Sequence, residues 1–269
     1  MFGSTMHAGS RGMRTTGGAV DARARLWSAA VVGAGATVSR SQLNRVSTII
    51  KSLDAAGVWS SLDRLWLFAA ENATQALIDI KALASATAVN SPTFAVSRGY
   101  TGNASSSYIN TNFNASTAGG NYARNSASMG AWMVGTSPAG TQVLIGNDDG
   151  SYSRIIPGTA AGVGREIEVN QGTPETIYAG TALTGFMHAQ RTAAAVNGFF
   201  TNGGTQESAG TGASIALPNH NHLILAAPAS VPEKFSGAQV AAGWIGASLA
   251  SPLALYTPLR AYMTAVGVP

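Results

Sequence analysis

No cysteine occurs among the 269 residues, which removes disulfide scaffolds, thiolate metal sites and cysteine nucleophiles together. Charge is scarce too: Asp, Glu, Lys and Arg make up 10% of the chain, against about 25% in an average soluble domain. No uninterrupted apolar run reaches the roughly 18 residues that a membrane-spanning helix requires. No Gly-x-Ser-x-Gly elbow is present, so Ser-His-Asp hydrolysis has no anchor. Gly33-Ala34-Gly35-Ala36-Thr37 starts like a dinucleotide fingerprint but lacks the third glycine and the later acidic residue. Arg23 and Arg25 precede the apolar run Leu26 to Val38, yet a polar Gly/Ser/Thr segment comes first. The run is not compact, and no secretory leader is expected.

What remains is a chain of 45% hydrophobic residues with 32 glycines, enough to exclude wholesale disorder. Ser, Thr, Asn and Gly must then keep the surface wet. That mixture suits short strands and many turns better than long solvated helices, which use Glu and Lys. The length fits one large sandwich or two modest domains. The net charge of +4 is unevenly placed. Residues 1–65 carry eight basic against three acidic groups, and residues 66–269 carry eight against nine.

Residues 1–20, with Arg11 and Arg14 among Gly, Ser, Thr and Met, cannot pack on themselves and read as an extended arm held by neighbouring subunits. Two arginines without interleaved aromatics give no case for nucleic acid as a partner. Residues 21–90 read as a helical lead-in. Asp21 to Ala30 forms a short helix ended by Gly33 and Gly35. Ser39 and Gln42 have the capping-box spacing, and Leu43, Val46, Ile50 and Leu53 form one stripe closed by Gly57. Leu65 to Ala70 has strand length and would be buried on both faces. Asn72 with Gln75 repeats the capping spacing for a second short helix through Ala76, Leu77 and Ile80.

From residue 91 onward, short apolar clusters recur between Gly, Asn, Asp and Pro, as in an all-β sandwich or barrel. They include Tyr108-Ile109, Ala131 to Val134, Ile155-Ile156, Glu166 to Val169, Ala193 to Phe200 and Val240 to Ile245. Ser251-Pro252 then starts a terminal helix with the stripe Leu255, Leu259, Tyr262, Met263 and Val266. Pro258 should kink it or end its first turn.

Several segments resemble structural proteins of tailed bacteriophages and prophages. They are Leu62-Asp63-Arg64-Leu65-Trp66-Leu67, Glu71 to Leu77, Ser91-Pro92-Thr93-Phe94, Arg98 to Asn103 and Tyr108 to Asn114. Leu217-Pro218-Asn219, Ala242 to Leu249, Leu255-Tyr256 and Leu259 to Tyr262 continue the likeness near the end, so that it covers about residues 38–267. The β part of that group is similar to concanavalin A-like, laminin-G-like jelly rolls. The resemblance implies a mainly β chain: an antiparallel jelly-roll β-sandwich over residues 91–269, with a small helical N-terminal region and a C-terminal helix. It further implies a non-enzymatic virion component (head decoration, fibre or tail-associated part); the N-terminal arm, which lies outside the resemblance, is expected from its composition to carry the assembly. Arg11, Arg14, Arg23 and Arg25 would make the assembly contacts, and the partners would be other virion proteins and copies of itself. A carbohydrate-binding adhesin or lectin-like module, with a host surface glycan as partner, is the second reading, and a glycan hydrolase the third. No cofactor, membrane or nucleic acid is expected.

Four features of the chain bear on chemistry. Glu166 and Glu168 share a strand face about 6–7 Å apart at the backbone, a separation used in glycoside hydrolysis. The glucanase pattern of this fold has a third acid, where Val169-Asn170-Gln171 stands here, so an exposed strand face is expected. His220 and His222, at strand spacing, would need a third ligand to hold a metal. Asn147-Asp148-Asp149-Gly150 suits calcium less well than a hairpin turn. Trp59, Trp66, Trp132 and Trp244 would serve as a sugar platform only if exposed.

Overall fold

The computed structural model describes residues 19–158, 165–173, 176–177, 183–229 and 231–269; Arg11 and Arg14 lie outside them. In chain order the elements begin with α1 (Ala22–Gly33), α2 (Arg40–Ala55), β1 (Leu62–Trp66), α3 (Ala73–Leu77), β2 (Thr87–Val89), β3 (Thr93–Ala95) and β4 (Gly99–Thr101). Then come β5 (Tyr108–Asn114), α4 (Ala115–Ala118), β6 (Ala127–Val134), β7 (Ile145–Asn147), β8 (Tyr152–Ile156), β9 (Arg165–Gln171) and β10 (Thr176–Ile177). The chain continues with β11 (Gly185–Ala193), β12 (Val196–Thr201), β13 (Thr205–Gly210) and β14 (Asn221–Ile224). It closes with β15 (Ala227–Pro228), β16 (Pro232–Glu233), β17 (Gln239–Gly246) and α5 (Leu253–Val266).

The strands form two large antiparallel sheets and a two-stranded ribbon, β15-β16. Sheet I runs β13-β12-β11-β6-β17-β4-β3, with β1 also paired to β17. Sheet II runs β10-β9-β8-β7-β14-β5-β2. The fold is a mainly β sandwich with few helices and a C-terminal helix, the class expected from the turn-rich sequence.

Side chains alternate across each strand, and this decides where the core lies. Met129, Ala131 and Met133 of β6, with Met187 and Ala189 of β11, face Ile145, Ile155, Ile167 and Val169 of sheet II. Trp132, Phe186 and Trp244 point the other way, onto Trp27, Ile50, Leu53, Leu255 and Leu259 of the helices. The central strands β6, β11 and β17 of sheet I are therefore buried on both faces, while the edge strand β13 is largely exposed. Trp244 stacks on Phe186 with centroids 5.0 Å apart and lies across Gly130, its ladder partner. A Cβ at Gly130 would meet the indole at 2.2 Å, so only glycine fits beneath it. Each large side chain buried in this layer stabilises the fold by about 1.5–3 kcal/mol relative to exposure.

The lead-in joins this architecture through helix caps and one strand. Ser39 Oγ accepts from Gln42 N at 3.0 Å. The Gln42 side chain does not return to Ser39; its Nε2 donates to Tyr262 Oη at 2.9 Å and ties α2 to α5. Leu65, Leu67 and Ala69 face the helices while Trp66, Phe68 and Ala70 face the sandwich core, so this apolar run is buried on both sides. Residues 21–90 thus hold β1 and β2 as well as helices.

Four local expectations need correction. The helix capped by Asn72 ends at Leu77. Ile80 lies beyond it because the Asp79 carboxylate accepts from Lys81 N, Ala82 N and Ala84 N and holds a turn there. Ala193 to Phe200 is two strands, since residues 194–195 turn the chain between β11 and β12. Pro258 does not end the last helix: α5 runs through it, because the buried stripe Leu255, Leu259, Tyr262 and Met263 offsets the lost bond and the ring–carbonyl clash that proline costs. Ser251 makes no side-chain cap; Pro252 occupies that position. At the far end Gly267 (φ +79°) lets Val268 N bond to Met263 O at 2.8 Å, the left-handed helix stop that glycine favours.

Candidate functional site

The outer face of sheet II carries the polar chemistry. Ile155, Ile167 and Val169 point into the core, so Arg154, Glu166 and Glu168 stand on the opposite face. Ladder partners place Thr87, Asn110, Leu223, Gly146, Arg154 and Glu168 in one row across five neighbouring strands and β2. A Cβ at Gly146 would lie 2.5 Å from the Arg154 Cβ. Only glycine fits beside the Arg154 backbone at this position.

One half of this face is charged and sealed. Arg154 pairs with Asp148 and Glu166, and its Nε lies 3.0 Å from Glu168. Its guanidinium also sits 4.8 Å from the Tyr152 ring centre. The segment after β14 folds back here. Ala227 packs with Val143 and Ile156, Asp148 N donates to Pro228 O at 2.8 Å, and Lys234 reaches both Asp148 and Glu233. Arg154 keeps only 4% of its side chain exposed and Glu168 none. Burial alone would lower the Arg154 pKa, but the three carboxylates outweigh it and raise it. The guanidinium stays charged.

Glu166 and Glu168 therefore share one face, as their spacing requires, but the face is not exposed in the way expected. Both carboxylates bind the same arginine, and Glu168 has no contact with water. An acid in glycoside hydrolysis must deliver a proton to substrate; Glu168 is sealed from solvent, and Glu166, 21% exposed, is held by Arg154.

The other half is open and rich in amides. Asn110, Asn112 and Asn114 project outward from β5, opposite the core residues Ile109 and Phe113. Asn110 Oδ1 accepts from Asn112 N at 2.9 Å, and Asn112 Nδ2 donates to Ser85 O at 3.0 Å and Thr87 Oγ1 at 3.1 Å. Asn114 Nδ2 donates to Asn219 O at 3.0 Å. These bonds fix the amides from one side. Asn110 Nδ2 and Asn112 Oδ1 have no protein partner among the described residues. Beside them the half-buried rings of Tyr108 and Phe235 lie 6.1 Å apart. The alternating Asn residues in Tyr108 to Asn114 were visible in the sequence. The Arg154 cluster was not, because its members come from residues 148 to 234.

The remaining candidates fall elsewhere. His222 is buried between Phe113 and Tyr122, and burial pushes its pKa down to about 4. His220 is 49% exposed, with Nδ1 3.4 Å from Asp149, so the two imidazoles do not share a site. Asp148 and Asp149 form the β7–β8 hairpin with Gly150 at φ +93°. Asp149 accepts from Asn219 N at 2.5 Å, and Asp148 is held by Arg154 and Lys234. No group of three or more His, Asp or Glu side chains suited to a metal occurs among the described residues. Trp59, Trp66, Trp132 and Trp244 are all buried, which excludes them as a sugar platform. Arg23 is spent within the chain: it bonds Asp21 at 2.8 Å and Asp54 at 3.1 Å and lies over Trp59. That guanidinium lowers the Asp21 pKa. Arg25 is exposed on α1.

No protein-family model matches the chain, and no curated protein matches it. Solved structures do. The botulinum neurotoxin serotype D binding domain superposes with a TM-score of 0.51 at 9% identity, over 76% of this chain and 52% of that one. The receptor binding domain of botulinum neurotoxin mosaic serotype C/D gives 0.53 at 10% identity, over 76% and 51%. The shared feature is the β-sandwich. This chain spans about half the length of those domains, and at such identity the likeness is one of fold. None of these matches points to a bacteriophage origin.

Proposed function

We propose that this chain is a lectin-like binding module that recognises a carbohydrate on the open half of sheet II. The observation that carries the reading is the amide row Asn110, Asn112 and Asn114 beside the Tyr108–Phe235 pair. Sugar hydroxyls are bound by planar groups held in place before the ligand arrives, and a neighbouring ring covers the apolar sugar face. Asn112 is anchored through its Nδ2 and offers its oxygen, which meets the first need. The fold supports this reading in a coarse way, since the neurotoxin domains that share it are named for receptor binding. No catalytic role is proposed for Glu166 or Glu168. The virion setting implied by the sequence resemblance belongs to this proposal, with a particle-borne adhesin as the form that unites the two readings.

Screening the intact chain against immobilised glycans tests it. A neutral glycan should bind, and Asn112→Ala and Tyr108→Ala should each weaken that binding about tenfold or more, the loss of one to two well-placed contacts. Wild-type binding unchanged in both variants, or no glycan bound at all, would sink the reading.

A further inference from the structure

The helical layer holds a second polar site. Where Ala19 and Val20 enter, α1 and α2 leave between them a groove of about 640 Å³, within the roughly 300–1,000 Å³ of small-ligand clefts. Arg25 lines it from α1, and Arg40, Asn44, Ser47, Thr48 and Lys51 line it from α2. The α2 residues recur at helical spacing and share one face.

Its charge is uncompensated. No acidic residue lines the groove. The two nearby acids are taken: Asp21 accepts three bonds from Arg23, and Asp54 accepts one from the same guanidinium. Arg25 and Arg40 have no acidic partner among the described residues, and Lys51 donates to the Ala19 carbonyl. Residues 1–18, which lead to this point, contain two arginines and no Asp or Glu, so the incoming chain supplies no anion. Three like charges around one concavity repel each other, and a bound anion relieves that repulsion.

We infer that this groove binds an acidic saccharide through its sulfate or carboxylate groups. The lining favours a saccharide over nucleic acid because it contains no aromatic side chain on which a base could stack. It does contain an amide, on Asn44, without a partner among the described residues, whereas the Ser47 hydroxyl accepts from Asp21 N and the Thr48 hydroxyl donates to Asn44 O. This site is independent of the sheet II reading, since it shares no residue with it.

Titration of the full chain with a heparin oligosaccharide provides the test. Binding should weaken steeply as ionic strength rises. The combined variant Arg25→Gln, Arg40→Gln and Lys51→Gln should bind about tenfold or more weakly, from the loss of three charged contacts. All three side chains are exposed, and an unchanged melting temperature would show that the fold survives. If the combined variant misfolds, Arg25→Gln alone should weaken binding about threefold. Asn112→Ala should leave heparin affinity untouched. The inference is overturned by wild-type affinity in the folded variant, by no heparin binding, by tighter binding of single-stranded DNA of equal charge, or by loss of heparin binding in Asn112→Ala.

Discussion

Sheet I and sheet II turn equally wide surfaces away from the sandwich core, and they dress those surfaces in opposite ways. Sheet I presents Trp132, Phe186 and Trp244, which α1, α2 and α5 then cover. Sheet II presents Arg154, Glu166, Glu168 and the β5 asparagines, covered over one half by the segment from Ala227 to Phe235 and left open over the other. The same split separates two kinds of stability. Beneath the helices it comes from apolar area. On sheet II the sealed half depends on charges that are costly to bury unless every one is paired. On sheet II a ligand can reach the strands only where the returning segment does not cover them, which is why the exposed amides of β5 are the candidate site on that sheet and the arginine-bound carboxylates are not.

The sharpest way to break this comparison is to remove the aromatic cover. Trp244→Ala should destabilise the fold by about 3–5 kcal/mol in urea denaturation, through the cavity left above Gly130. A cost near 1 kcal/mol would mean that the helices contribute little to sheet I. Arg154→Met should cost about 3 kcal/mol, because it strands Glu168 and Asp148 among fewer partners. Unlike the tryptophan variant, its deficit should shrink on acidification, since protonation removes the uncompensated charge. Equal deficits at neutral and acidic pH would contradict an electrostatic cause.

Acid should also separate the layers in the wild-type chain. His188 lies under the helices, where Trp244 Nε1 donates to its Nδ1 at 3.1 Å and its Nε2 is 3.2 Å from Gln190 Oε1. His222 lies in the sandwich core. Burial lowers both pKa values from 6.5 to about 4. The unfolded chain therefore takes up protons that the folded one refuses, and stability is complete above about pH 6.5 and falls as pH drops toward 4. At about pH 5 each histidine should account for about 2 kcal/mol, and His222→Phe should remove its share of the pH dependence. A flat stability profile from neutral pH to 5 would refute both assignments. Smallest of all, Asn112→Ala should cost about 1 kcal/mol, since it gives up two exposed hydrogen bonds and places alanine at φ +55°, while weakening glycan binding about tenfold.

Much of this architecture was legible in the chain before any coordinates. The caps at Ser39 and Asn72 are local hydrogen bonds between residues three apart, so spacing alone announces them. The β6 and β17 clusters were legible for the same reason, as periodicity is written along the strand. Ala193 to Phe200 misled because its turn uses alanines in place of Gly, Asn or Asp. The end of α3 misled because Asp79 captures three backbone amides, a bond pattern that no apolar stripe reveals. Within the candidate site the β5 asparagines stood in plain alternation, whereas Arg154, Glu168 and Lys234 are brought together only by strand pairing and a returning loop.

By itself the amino-acid order determined the β-rich class, the starts of α1 and α2 and the alternation that gives every strand two different sides, since those depend on neighbours within a few residues. Which side became core, which became covered and which stayed in water was decided by tertiary structure alone. Burial is a property of what packs against a residue, and those partners lie up to two hundred positions away, as between Gln42 and Tyr262.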